Sequence, residues 1–439
     1  MEQITDLAIA QLSDAYGAGR LDPVAVTHDH LERIASLDPS IRSYVAVARA
    51  PALAAAARSS ERWRRGRPIG ALDGIPIALK DNIDVADLPC TAGVEAFRHR
   101  VPTLDAPAYR RLHDAGAVLL GKLNMHEAAL GGTTDNRAYG RCINPLMPGH
   151  TPGGSSGGSG AAVAAGLCVA ALGTDTMGSV RVPASYCGIY GYKPSNAAIS
   201  TAGVIPLSFT LDTVGPLARS AADLAVVAAA LLRAGDRLAT PPITGWRGLR
   251  IGRPRQLNAV DLQSAVAGAF ENLLERLARE GADIVTVDLP AWDPSRARRA
   301  GLLVTEAEGA AFWERQLGTG LGGLSGELVA MLRYPATAGL AKIIAAYETI
   351  EAVRVECRGA FADVDLLALP TTPQTCFPHT GEPPVNQADC TALANFARAP
   401  ALAFPLATGG LPASAQFLAA PEHDRRLLAL AAMIDGLRD

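Results

Sequence analysis

The seven cysteines of this 439-residue chain form no Cys-x-x-Cys pair and show no spacing typical of metal ligands. A cysteine-bound metal is therefore not indicated, and we expect neither a metal nor another cofactor. The N-terminus also lacks the basic start and apolar core of an export signal. Without such a signal we expect the cysteines to be reduced thiols, and an odd number leaves at least one of them unpaired. Reduced cysteines and the missing export signal predict a cytoplasmic protein.

Long apolar runs are missing as well. No stretch offers the roughly 18 consecutive apolar residues of a membrane-spanning helix. The best candidate, residues 161–172, is short and is interrupted by Gly166. The net charge of −3 favours neither nucleic acid nor a membrane surface as a direct partner. Apolar residues still make up 49% of the chain, so a substantial core can be buried.

Histidine is not placed for its usual role of activating a serine. The eight histidines stand in no serine-centred motif, and no convincing nucleophile elbow is present. The chain instead contains two serine segments, residues 153–159 and 175–179, with Lys80 upstream. A nucleophile, a proton relay and a base are what acyl transfer at an amide requires.

Lys80 directly follows the apolar run 75–79, which is typical of a buried strand. An isolated buried ammonium is costly, so the pKa of such a lysine falls and the group tends to be neutral. A neutral lysine can act as a general base, with serine hydroxyls as hydrogen-bond partners. The alternative is an ordinary surface lysine.

Residues 153–159 also have two other interpretations. Segments rich in glycine and serine are usually flexible linkers. A phosphate-binding loop would end in Gly-Lys-Ser/Thr, and that ending is absent here. The run 161–167 that follows has the composition of a buried helix, which argues against a linker.

The sequence resembles the amidase signature hydrolases, which use a Ser-cisSer-Lys triad. The resemblance covers mainly the first half of the chain and is carried by segments 74–81, 121–125, 139–140, 144–145, 153–159, 173–176, 178–181, 187–188, 191–194 and 212–216. It implies that Ser179 is the nucleophile and Lys80 the base. It also implies that Ser155 follows a cis peptide bond and relays the proton between them.

The resemblance further implies an oxyanion hole built from the backbone N–H groups of Thr176, Met177, Gly178 and Ser179. Many members of the family have glycine where this chain has Met177. A positive φ at a methionine would cost about 1–2 kcal/mol. We therefore expect an ordinary φ at this residue and a side chain that narrows the pocket.

Substrate contacts are assigned to four residues. Ala129 and Gly131 align with family residues on the acyl side, where small residues leave room beside the nucleophile. Ser155 is also expected to touch the substrate. Arg181 has two interpretations, either as the binding group for an acidic substrate or as a structural ion-pair partner. Asp175 is interpreted as a structural hydrogen-bond acceptor within its loop.

Apolar periodicity predicts helices that alternate with strands. Helices are predicted over 4–16, 24–34, 51–63, 108–113, 161–167, 221–232 and 261–279, and strands over 75–79, 117–120, 167–172, 249–251, 284–287, 364–370 and 400–405. This alternation predicts an α/β fold with a mixed, largely parallel sheet and helices on both faces. Residues 241–243 are the best candidate for a hinge.

The resemblance implies one compact α/β/α domain over residues 1–439, built around a long mixed central sheet. Within it we expect a helical N-terminal segment (1–65), a catalytic core (66–235) and a part that shapes the substrate pocket and completes the sheet (236–439).

Three functions remain open. The first is hydrolysis of a small carboxylic amide or a carbamoyl (urea-type) compound by an amidase. The second is the glutaminase subunit of a transfer-RNA amidotransferase, although the chain is short for that subunit. The third is a catalytically inactive binding or assembly protein, against which the presence of all three triad residues argues. The expected partner is a small-molecule substrate, and the chain could act as a homodimer or with a small partner subunit.

Overall fold

The computed structural model describes residues 3–232 and 243–438. Its strands are β1 Tyr44–Val47, β2 Pro76–Lys80, β3 Val118–Leu123, β4 Asp135–Asn136, β5 Gly140–Arg141, β6 Ala170–Asp175, β7 Tyr190–Lys193, β8 Thr213–Ala218, β9 Arg250–Pro254, β10 Asp283–Val287, β11 Leu366–Pro370, β12 Ala401–Leu406 and β13 Ala413–Leu418. Eleven strands form one sheet in the order β1-β3-β2-β6-β8-β7-β12-β13-β11-β9-β10. The two short strands β4 and β5 pair with each other.

The sheet is mixed, as expected, but it is not largely parallel. Strand β2 runs parallel to β3 and β6, and β9 runs parallel to β10 and β11. The central strands β6, β8, β7, β12 and β13 pair antiparallel, so most pairings in the sheet are antiparallel. Strands β12 and β13 follow each other closely in the chain, and a short connection can join antiparallel but not parallel neighbours.

Helices cover both faces of the sheet. They are α1 Ile9–Gly17, α2 Pro23–Ile41, α3 Arg49–Arg64, α4 Pro107–Asp114, α5 Gly157–Ala164, α6 Arg181–Tyr186, α7 Ala221–Leu231, α8 Ser264–Arg279, α9 Pro294–Leu317, α10 Gly326–Ala338, α11 Leu340–Ala360, α12 Ala392–Phe396, α13 Asp424–Leu428 and α14 Ala431–Asp435. Single 3-10 turns lie at Ile4–Asp6, Glu95–Phe97, Glu127–Ala129, Arg255–Ala259 and Gly436–Arg438.

Alternate residues of the strands pack into different cores. Ile77 and Leu79 of β2 join the cluster beneath α1, α4, α7 and α8, whereas Ala78 joins the cluster beneath α2, α3 and α5. Likewise Leu366 of β11 belongs to the first cluster and Leu367 to a third one, formed with α9, α11 and α12. Because successive strand residues point to opposite faces, both faces of the sheet are buried. The predicted α/β architecture with helices on both faces is confirmed.

Several predicted elements are present with shifted bounds. The helix predicted to begin at residue 161 begins at Gly157, inside the Gly/Ser segment, so this segment is not a linker. The strand predicted over 167–172 is β6, Ala170–Asp175. The first predicted helix is divided into the turn Ile4–Asp6 and helix α1. Residues 241 and 242 of the predicted hinge lie outside the described residues.

Helices α9, α10 and α11 were not predicted from the sequence. Residues of α9 and α10 line the cavity beside Ser179. The start of helix α9 is fixed by two residues. The carboxylate of Asp293 caps the helix by accepting a 2.8 Å hydrogen bond from the N–H of Arg296, and Pro294 occupies the first helical position. The helix packs against both α10 and α11. In the described part of the chain no single helix is long and apolar enough to cross a membrane, although the bent pair α10–α11 meets that test by length and composition.

Candidate active site

Lys80 is the last residue of β2 and is completely buried. All residues of β2 are buried, so the burial of Lys80 predicted from the apolar run 75–79 is confirmed. The Nζ atom donates one hydrogen bond to Ser155 Oγ and another to Thr174 Oγ1, both 2.7 Å long. Lys80 is therefore in direct contact with the predicted relay serine and with the residue that precedes the second serine segment.

Burial has a large effect on the protonation of this lysine. It lowers the pKa of Lys80 from 10.5 to about 7, although the carboxylates of Asp212 and Asp175 act in the opposite direction. Near neutral pH, Lys80 is then neutral in a large fraction of the protein molecules. A general base has to be in this neutral form.

The two serine segments are joined by their backbones. The peptide bond between Gly154 and Ser155 is cis. The N–H of Ser156 donates a 3.2 Å hydrogen bond to the carbonyl of Ser179. A Cβ atom added at Gly158 would lie 2.3 Å from the carbonyl oxygen of Asn124, so the start of α5 packs against backbone where only glycine fits. These contacts bring Ser155 and Ser179 to the same site.

Asp175 organises the loop that precedes Ser179. Its carboxylate accepts hydrogen bonds from the N–H groups of Gly178 (2.7 Å) and Val180 (3.2 Å). The carbonyl of Met177 accepts a 2.6 Å hydrogen bond from the Thr391 hydroxyl. Gly178 has a φ of 130°, and an added Cβ would lie 2.2 Å from Thr391 Oγ1, so this position favours glycine on both counts.

Only part of the predicted oxyanion hole has free donors. The N–H of Gly178 is already bonded to Asp175, whereas in the described part of the chain those of Thr176, Met177 and Ser179 have no hydrogen-bond acceptor. Met177 is not among the residues with positive φ. The methionine therefore sits in this loop without backbone strain, as expected, and free N–H groups lie directly beside Ser179.

Arg181 does not line the cavity that opens beside Ser179. Its guanidinium is fully buried and donates to the Asp175 carboxylate at 2.9 and 3.0 Å. It also donates to Asn395 Oδ1 (2.7 Å), Gln416 Oε1 (2.7 Å) and the carbonyl of Thr391 (2.8 Å). With these donors engaged inside the protein, the structure places Arg181 in the ion-pair role and corrects its assignment as a substrate-binding residue.

This ion pair also sets the charge of Asp175. Burial alone would raise the pKa of Asp175, but the charges of Arg181 and Lys193 and the hydrogen bonds from Arg181 and Asn395 lower it to about 2. The carboxylate stays ionised and keeps accepting the loop N–H groups.

A cavity of about 180 Å³ opens beside Ser179. Segments 129–132 and 176–179 form one side, and helix α9 with residues 385–388 forms much of the other. Ala129 and Gly131 line it, and their contact with the acyl side of a substrate stays a prediction. Gly131 is required for space, because a Cβ there would lie 2.2 Å from the Nε2 atom of His126. Most of the groups that line the cavity next to the candidate nucleophile are small or apolar.

Two residues of the site were missed. Thr174, which contacts Lys80, lies within a motif that carried the resemblance, but nothing in the sequence gave it a role. Arg298 on α9 also lines the cavity. Its helix was not predicted, so no sequence signal placed it near Ser179. No group of three side chains suited to hold a metal ion occurs in the described ranges 3–232 and 243–438.

A buried lysine bonded to one serine, beside a second serine flanked by free backbone N–H groups, is an arrangement suited to serine-dependent acyl transfer. The fold and this site together define a class of α/β serine hydrolases. A family model described as Amidase matches residues 25–428. The chain belongs to this family, that of the amidase signature enzymes, which confirms the resemblance seen in the sequence.

Individual relatives cover nearly the whole chain. A glutamyl-tRNA(Gln) amidotransferase subunit of Chloroflexus aurantiacus is 36% identical, over 98% of this chain and 96% of that protein. A solved chain described in connection with a vestigial protein complex and the origins of an s-triazine catabolic enzyme has a TM-score of 0.89 and 30% identity, over 98% of both chains. The peptide amidase of Stenotrophomonas maltophilia has a TM-score of 0.84 and 32% identity, over 99% of this chain and 97% of that one.

Proposed function

We propose that this protein hydrolyses the C–N bond of a small carboxylic amide or carbamoyl compound through an acyl-enzyme on Ser179. The observation that carries the proposal is the 2.7 Å hydrogen bond between Lys80 and Ser155, made by a lysine whose pKa burial lowers to about 7. Family membership supports amide C–N chemistry in general.

In the proposed reaction Ser179 Oγ attacks the carbonyl carbon, while its proton passes to Ser155 and the proton of Ser155 passes to neutral Lys80. The free N–H groups of Met177 and Ser179 stabilise the oxyanion. The C–N bond then breaks as the proton on Lys80 returns through Ser155 to the leaving nitrogen. Water attacks the acyl-enzyme along the same proton path, which releases the acid and restores Ser179.

The substrate is proposed to be small on its acyl side. The cavity measures about 180 Å³ and is lined largely by glycine, alanine and aliphatic side chains. A short-chain amide or a urea derivative fits such a space.

A second candidate is the glutaminase subunit of a transfer-RNA amidotransferase. In this form the same chemistry would act on glutamine, and a partner subunit would be required. The specific support is the similarity to the Chloroflexus aurantiacus protein, and it favours this form over a stand-alone enzyme. The relative linked to a vestigial protein complex also supports a partner subunit. The likeness to a peptide amidase supports the stand-alone form.

The test is ammonia release by the purified protein from aliphatic and aryl amides, glutamine, asparagine, biuret and allophanate. Ser179→Ala should lose at least roughly 10⁴-fold in kcat. Ser159→Ala is the control, since Ser159 is a serine of the same Gly/Ser segment as Ser155 but donates to the carbonyl of Leu172 and makes no hydrogen bond to Lys80. It should keep its activity.

Full activity in Ser179→Ala would refute the nucleophile assignment. Ammonia release from glutamine and from no other amide of the panel, dependent on an added partner subunit, would favour the amidotransferase form. An inactive protein of the same fold would release no ammonia and would not react with a fluorophosphonate in a Ser179-dependent way.

A further inference from the structure

Among the described residues that line the cavity beside Ser179, Arg298 is the only charged one. It projects from α9, and the capping of that helix by Asp293 fixes where it begins. The other lining residues are apolar or carry neutral polar groups. One cation in an otherwise uncharged cavity is a strong selective element for a small substrate, because charge recognition is strengthened where water is excluded.

A buried aspartate, Asp389, holds the guanidinium of Arg298 in place. Its Nε donates a 2.6 Å hydrogen bond to Oδ1 of Asp389, whose side chain is only 7% exposed, and the Arg298 side chain itself is only 13% exposed. Asp389 does not line the cavity. This aspartate therefore orients Arg298 without itself meeting a substrate.

The two terminal nitrogens of the guanidinium have few hydrogen-bond acceptors in the described part of the chain. The second terminal nitrogen, NH2, makes a long contact of 3.5 Å with Ser295 Oγ. The first, NH1, has no acceptor in the described part of the chain. Because a guanidinium presents its N–H groups in a planar fork that matches a carboxylate, these donors are suited to bind one.

We propose, building on the proposed amide hydrolysis, that Arg298 selects amides that carry a carboxylate and no ammonium group. A substrate carboxylate would complete the unsatisfied edge of the guanidinium. An ammonium would meet no free carboxylate among the described lining residues, since the one acid beside Arg298 is bonded to it and lies outside the cavity lining. The favoured class is the monoamides of short dicarboxylic acids rather than amino-acid amides such as glutamine.

Three compounds of equal chain length isolate this effect. Glutaric acid monoamide carries the carboxylate, pentanamide replaces it with a methyl group, and glutamine adds an ammonium. A charge-assisted pair of hydrogen bonds predicts that kcat/KM for the monoamide exceeds that for pentanamide by roughly 10- to 100-fold. Glutamine should fall below the monoamide as well.

Arg298→Gln should abolish this preference, mainly by raising KM for the monoamide. Since that variant leaves Asp389 buried without its partner, Arg298→Gln combined with Asp389→Asn provides a second variant without an unpaired charge. Arg299→Gln is the matched control, because Arg299 is an exposed arginine of the same helix that does not line the cavity. It should keep the preference.

Calorimetric binding to Ser179→Ala keeps this test separate from the proposed function. Tighter binding of the monoamide than of pentanamide, lost when Arg298→Gln is added, supports the role of Arg298 whether or not turnover is seen. Equal binding of the two compounds, a preference that survives both Arg298 variants, or glutamine as the best ligand would overturn it. Failure of the proposed function would appear instead as the absence of Ser179-dependent turnover across all amides.

Discussion

Lys80 Nζ and Thr174 Oγ1 lie 2.7 Å apart, both in buried side chains on adjacent parallel strands. The same hydroxyl oxygen accepts a 3.2 Å hydrogen bond from Nδ2 of Asn82. Ser155 accepts the other hydrogen bond of the lysine, so Thr174 and Ser155 together hold the amine. The threonine is a positioning residue for the proposed base.

Thr174→Val tests this role with little change in volume. A hydrogen-bond acceptor stabilises the charged form of a lysine, so its removal should lower the pKa of Lys80 further. The acidic limb of kcat/KM should move to lower pH, and kcat should fall roughly tenfold as the amine loses its orientation. Thr213→Val is the control, since the Thr213 hydroxyl bonds the carbonyl of Asp175 instead. Equal pH profiles for both variants would contradict the assignment.

The wild-type protein should show a pH dependence set by the neutral form of Lys80. The pKa of this lysine is lowered by burial to about 7, and only the neutral amine accepts a proton. Activity should therefore be low at acid pH, rise through about pH 7 and level off above it. The measurement is kcat/KM from about pH 5 to about pH 10 on an uncharged amide. A rise centred above about pH 9 would show that the lysine is not neutralised by its surroundings.

The three candidate triad positions could be selected from the sequence because each lies in a recognisable segment of the chain, and the apolar run before Lys80 predicted its burial; their catalytic roles stay a prediction. The proposed roles of Thr174 and Arg298 could not be found in this way, since each depends on a contact between residues brought together only by the fold. Arg181 shows the same limit. Its partners Asn395 and Gln416 lie more than 200 residues further along the chain, so the sequence left the ion-pair and substrate-binding interpretations open.

The antiparallel centre of the sheet escaped prediction for a related reason. Strands β7, β8 and β13 were not recognised as strands, and the strands found before and after them gave the appearance of simple strand-helix alternation. Short buried runs rich in glycine and alanine carry little periodicity, so neither their type nor their direction can be assigned from sequence.

Met177→Gly should alter which amides are accepted more than how fast the smallest is cleaved. The Met177 side chain lines the cavity and lies against Gly301 of α9, where an added Cβ would be 2.5 Å from the methionine sulfur. Its removal enlarges the cavity beside Ser179, so kcat/KM for branched or longer acyl groups should rise relative to acetamide. The measurement is kcat/KM over an acyl-length series. An equal loss on all members would instead indicate a damaged oxyanion hole.

Arg181→Met should destabilise the fold rather than change substrate preference. Removing one partner of a buried ion pair leaves the Asp175 carboxylate uncompensated, at a cost of about 3–5 kcal/mol. Arg181→Lys should recover little, because an ammonium cannot reach the four acceptor groups that the planar guanidinium bonds.

Thermal unfolding followed by circular dichroism measures this loss. Arg253→Met is the matched control, since Arg253 pairs with a largely exposed Glu271 and should cost less than about 1 kcal/mol. If Arg181→Met kept the stability of the wild type but lost activity only on carboxylate-bearing amides, the substrate-binding interpretation of Arg181 would have to be restored. The burial of its guanidinium and its hydrogen bonds inside the protein predict the opposite result.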